Sequence, residues 1–116
     1  MTDEAEHRGM GDSTVITGLA ENTGKAGDRP DISVLARNDG GNVVRLSFLA
    51  GQAMPDHRAG RPILVIGQSG EIDFTVGHDT TRLEAGVAIH VNADIPHALE
   101  ARTDAVVTLV VLEKPT

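Results

Sequence analysis

From Asp31 onward the chain is cut into short apolar runs by turn residues, and no stretch keeps a helical period. Ile32-Ser33-Val34-Leu35-Ala36-Arg37 is followed by Asn38-Asp39-Gly40-Gly41, a cluster that favours a tight hairpin turn. Val43 to Ala50 is the next predicted strand, and Gly51 ends it. Ile63 to Ile66 follows Pro62, and Ser69-Gly70 turns the chain. Glu71-Ile72-Asp73-Phe74-Thr75-Val76 alternates polar and apolar side chains, as a half-buried strand does. Gly77-His78-Asp79 predicts a turn and Thr81 to Leu83 a short strand. Val87 to Val91 and His97 to Ala101 flank a turn from Asn92 to Pro96, and Ala105 to Leu112 closes the series. About eight strands at even spacing, with Gly-rich turns, predict an all-β sandwich or closed barrel.

Ala105 to Leu112 is apolar on both faces, so it requires cover on both sides. The interior supplies one side. The N-terminal segment or a second subunit supplies the other, and the latter option predicts a homodimer. Residues 1–13 are polar, charged and Gly-containing, and read as a flexible tail before a single domain spanning 14–116. Thr14 to Leu19 fits an edge strand or a short helical turn, and Asn22 to Pro30 a loop.

Composition narrows the function classes. The chain has 116 residues and no cysteine, which excludes disulfides, thiolate chemistry and cysteine metal sites. A net charge of −7 and the absence of Trp and Tyr speak against nucleic acid as a partner, since neither a basic face nor a stacking platform is available. No apolar run is long enough to span a bilayer, and no basic segment followed by an apolar run opens the chain. The expectation is a soluble, cytoplasmic protein.

Two segments carry more specific information. Gly51, His57 and Gly70 are spaced as Gly, five residues, His, then on to Gly, with Ala59 and Ile63 between them. Gly86, Asn92, Asp94, Pro96, His97 and Ala101 form a second group. Together these segments resemble the paired motifs of the cupin superfamily, across roughly Val34 to Leu112. The resemblance places Ala59 at the family's second His and Ile63 at its Glu. It places Asn92 at a Pro, Asp94 at a Gly and Ala101 at an Asn. Asp tolerates a positive φ, so Asp94 can still make the turn. The implied fold is an antiparallel jelly-roll β-barrel, often dimeric.

Metal-bearing members of that family hold Fe, Mn, Ni, Cu or Zn with three His and one Glu. By the resemblance, this chain keeps only His57 and His97 of that set, which implies weak metal binding unless a further ligand joins. His78 falls in a turn, His90 alternates with Ile89 and Val91 so as to face outward, and His7 lies in the tail. The leading expectation is a small-molecule ligand in an apolar cavity lined by Met54, Ile63, Val65 and Ile89, with His57 and His97 as polar anchors. Arg58 and Arg61 flank the His57 loop, where they either clamp an anion or are simply exposed. The rival expectation is a metal-dependent enzyme of oxygenase or isomerase type, with His57 and His97 as ligands.

Overall fold

The computed structural model describes residues 12–114. The tail expected up to Ser13 therefore lies, apart from Asp12 and Ser13, outside the described residues. Nine strands and no helix are found among the described residues. They are β1 (Asp31–Asn38), β2 (Gly41–Phe48), β3 (Ala53–His57), β4 (Ile63–Ser69), β5 (Ile72–Val76), β6 (Asp79–Leu83), β7 (Ala88–Val91), β8 (His97–Ala101) and β9 (Ala105–Leu112). They form two antiparallel sheets, ordered β1-β2-β9-β4-β7 and β3-β8-β5-β6. The non-sequential order is that of a jelly roll, in which the chain crosses repeatedly between two sheets. Backbone hydrogen bonds do not close the two sheets into one continuous cylinder.

Side-chain alternation explains the layering. Along β4, Ile63 and Val65 point to the core while Leu64 and Ile66 lie only half-buried on the other face. β9 behaves the same way, with Ala105 and Val107 in the core. Phe48, Ile72, Phe74 and Leu83 are essentially inaccessible and bring both sheets into one core. With only two aromatic residues, aliphatic side chains do most of this packing.

The strand after Gly51 was not evident from the sequence. β3 is short, contains Pro55, and its register to β8 slips between Met54 and His57, so no clean alternation marks it. Thr14 to Leu19 forms neither a strand nor a helical turn; it is irregular and ends in a turn at Leu19-Ala20.

The chain that follows covers part of the outer face of the five-stranded sheet. Arg45, 6% exposed, points outward from β2 and donates through Nη1 to the Gly18 carbonyl at 2.7 Å. Ser47 Oγ donates to the Glu21 carbonyl, and Thr23 Oγ1 to Asp31 at 2.6 Å. The N-terminal side of β9 thus has cover on both faces, with Val106 and Thr108 both buried. Val110 and Leu112 remain half-buried. On the second sheet, Asp73 pairs with Arg82 and Arg102, and Arg82 also reaches Glu71 at 2.9 Å.

Candidate functional site

β3 and β8 pair so that His57 stands directly opposite His97. Two turns set this up. Gly51 takes φ 87° and leads into β3; Asp94 takes φ 66°, the only positive φ of a non-glycine among the described residues. Asp94 also ties the two loops together. Its backbone N–H donates to the Ala59 carbonyl at 2.7 Å, joining the β3–β4 connection to the β7–β8 turn.

The imidazole centroids are 4.3 Å apart, in an edge arrangement at 62°. His97 is 2% exposed and stacks on Phe74, with centroids 5.7 Å apart and planes 5° from parallel. His57 is exposed. Each Nδ1 lies against the carbonyl of the residue two before it, Pro55 at 3.1 Å for His57 and Ile95 at 3.0 Å for His97. A carbonyl only accepts, so in the neutral ring Nδ1 carries the proton and Nε2 keeps its lone pair. Burial is the main cause that pushes the His97 imidazole below its ordinary value of 6.5. The hydrogen bond to the Ile95 carbonyl and, less, the charge of Asp56 work the other way, and His57 adds to the depression. His97 is therefore neutral at pH 7.

These rings border a cavity of about 70 Å³ between the sheets. Met54, His57, Ile63, Val65 and His97 all line it, together with Leu46, Ala59, Phe74, Leu99, Leu109 and Val111. The other three expected site residues do not. Ile89 packs on the core from β7, the far edge of its sheet, and pairs with Val65 rather than reaching the cavity. Arg58 is exposed, and Arg61 donates through Nε to the Leu112 carbonyl at 2.8 Å, which ties the loop to the end of β9. Phe74, Leu99, Leu109 and Val111 escaped the sequence reading because nothing local distinguishes a cavity wall from ordinary core.

The four positions that the motif resemblance pairs with metal ligands, residues 57, 59, 63 and 97, all meet at this one cavity. A match to the cupin domain covers residues 44–113. The chain belongs to the cupin family. This cupin is similar in structure to a conserved protein with a double-stranded β-helix domain from Klebsiella pneumoniae, with a TM-score of 0.74, 20% identity, and coverage of 86% of this chain and 90% of that one. It is similar also to a cupin superfamily protein from Desulfitobacterium hafniense, with a TM-score of 0.68, 18% identity, and coverage of 76% and 81%. A conserved Streptococcus pyogenes protein of unknown function gives a TM-score of 0.67 at 24% identity, with coverage of 90% and 99%. These likenesses establish a shared fold. No curated protein matches the sequence of this cupin.

The cupin four-ligand set does not fit here. Ala59 and Ile63 present methyl and alkyl groups where the resemblance would put an imidazole and a carboxylate. Among the described residues, no group of three or more His, Cys, Asp or Glu could hold an ion.

Proposed function

We propose that this cupin binds a small molecule at the cavity between its sheets, with His57 and His97 as its polar contacts. One observation carries the reading: the two imidazoles are the only polar side chains in an otherwise aliphatic and aromatic lining. Each has its Nδ1 occupied by a backbone carbonyl, so each offers one Nε2 acceptor. The volume limits what enters. About 70 Å³ is the room of roughly two waters and well below the usual drug-sized pocket. One donor-bearing end of the ligand, such as an alcohol or amide, enters, and the rest lies over the mouth beside exposed His57. Thermal shift against a metabolite panel tests this. A true ligand raises Tm in the parent protein but not in His57→Ala. A panel without a single stabilising compound would turn the reading toward a partner-binding role.

A second reading is a metal-dependent enzyme of oxygenase or isomerase type. The observation favouring it is the Nδ1–carbonyl contact on each ring, the orientation typical of metal-ligating histidines. Elemental analysis of untagged protein, with His57→Ala as control, measures whether metal is held there.

A homodimer is part of the same proposal. Val43, Leu64, Ile66 and Val110 lie half-buried on the outer face of the five-stranded sheet, where a second copy would cover them. Light scattering that returned a monomer mass at micromolar concentration would exclude it. The proposed location is the cytoplasm; no helix among the described residues is long and apolar enough to cross a membrane.

A further inference from the structure

We infer that the free edge of β1 binds a second copy of this chain, antiparallel and about a two-fold axis, so that two five-stranded sheets join into one. The contact uses the rim of that sheet and not the outer face proposed above, so neither depends on the other.

The two sheets end in four edge strands, β1, β7, β3 and β6. Three of them are protected in the usual ways, by shortness, proline, irregularity or polar side chains. β7 is four residues long, β3 carries Pro55 and a register slip, and β6 exposes Thr80, Thr81 and Arg82. β1 differs. It is eight residues long, has no internal proline and pairs with β2 alone. Its one irregularity is a bulge between Val34 and Ala36.

β1 also exposes apolar side chains where its neighbour buries them. Ile32 pairs with Leu46 and Val34 with Val44, both core residues, so all four point between the sheets. Yet Ile32 is 57% exposed and Val34 46%. The five-stranded sheet overhangs the four-stranded one at this end. Leu46 also lines the cavity, so the exposed strip lies one strand away from its wall. A single exposed aliphatic side chain is ordinary, but two on the core side of an unpaired edge mark a place for another strand.

Self-complementarity and charge identify that strand. Residues facing each other in an antiparallel pair point to the same side of the sheet. A two-fold axis at Ser33 therefore sets Ile32 of each copy beside Val34 of the other, ahead of the bulge that interrupts the ladder. Each chain carries a net charge of −7, so two copies repel over most of their surface. β1 holds only Asp31 and Arg37 and has no net charge, which lets the copies approach along it. A basic partner would be drawn to the acidic remainder instead.

The test uses the untagged full chain, which has no cysteine of its own. Ser33→Cys puts one thiol per copy at the axis, within disulfide reach, and mild oxidation should link most of the protein into dimers. Thr81→Cys, on edge strand β6, should stay unlinked. Val34→Lys, at an exposed position, should keep the fold and halve the mass seen by light scattering. The halving holds whether the parent is a dimer or, with the outer-face contact added, a tetramer. Leu64→Lys, on the outer face, should leave the Ser33→Cys crosslink in place. A monomer mass at every concentration, with no crosslink, overturns this inference and the outer-face dimer together. A dimer whose mass ignores Val34→Lys and that gives no crosslink overturns this contact alone and leaves the outer-face one standing. A monomer whose outward β1 amides resist hydrogen exchange assigns the edge to another part of the same chain and overturns it as well.

Discussion

His57 and His97 are directly paired across β3 and β8, yet one ring is exposed and the other is 2% exposed. The two members of one ladder rung therefore meet different solvents. His97 is held between Phe74 and His57, while His57 is open to solvent.

Mild acid should destabilise the fold through His97. The unfolded chain protonates His97 near 6.5, whereas burial holds the folded imidazole below that value. Between the two, the unfolded state binds more protons, so stability is full above pH 6.5 and falls as pH drops through that window. Urea denaturation from pH 8 to about pH 5 should show a falling midpoint, and the slope should flatten in His97→Gln. An identical slope in the variant would refute the assignment. Asp73, held below 3.8 chiefly by Arg102, adds its loss only in stronger acid.

Phe74 should be the costliest side chain of the cavity to remove. It is fully buried, bridges the sheets and backs the His97 ring. Phe74→Ala is expected to cost about 3–5 kcal/mol in denaturant unfolding. A loss under 1 kcal/mol would mean that the core collapses into the space, contrary to its close packing.

Glycine at position 67 is required for a steric reason. A Cβ there would overlap the Glu84 backbone carbonyl, beside the parallel bridge from Gly67 to Ala85. Gly67→Ala should therefore fail to accumulate as folded protein, or melt far below the parent. Gly51→Ala should cost less, about 1–2 kcal/mol for the positive φ, because a Cβ there meets no neighbouring atom. Equal melting temperatures for the two variants would contradict the contact geometry.

Arg45→Met should loosen the N-terminal cover locally. It removes the bonds to Gly18 and Thr23 and takes away a guanidinium whose Nε is buried without a partner among the described residues. The Glu21 amide, which donates to the Gly18 carbonyl, should exchange faster with deuterium. The global unfolding free energy should change by less than about 2 kcal/mol. A uniform acceleration across all strands would show that Arg45 supports the whole sandwich instead.

The long strands were legible because their alternation is strong. Glu71 to Val76 and Ala105 to Leu112 appear nearly where the pattern puts them. β3 was not, because Pro55 and the register slip break the period. Both histidines were found through motif spacing. Ile89 falls outside the cavity lining, since spacing along a strand gives the face but not which strand lies opposite, and Arg58 is exposed, one of the two positions open to it. Met54 lines the same hollow as the two imidazoles, where the motif spacing around His57 puts it.

The Asp94–Ala59 bond uses main-chain atoms alone. The clamp between the two loops is thus indifferent to which side chains hang from it. Residues 57, 59, 63 and 97 all face one hollow whose loops are joined through the main chain, so what that hollow presents is decided by the side chains at four positions.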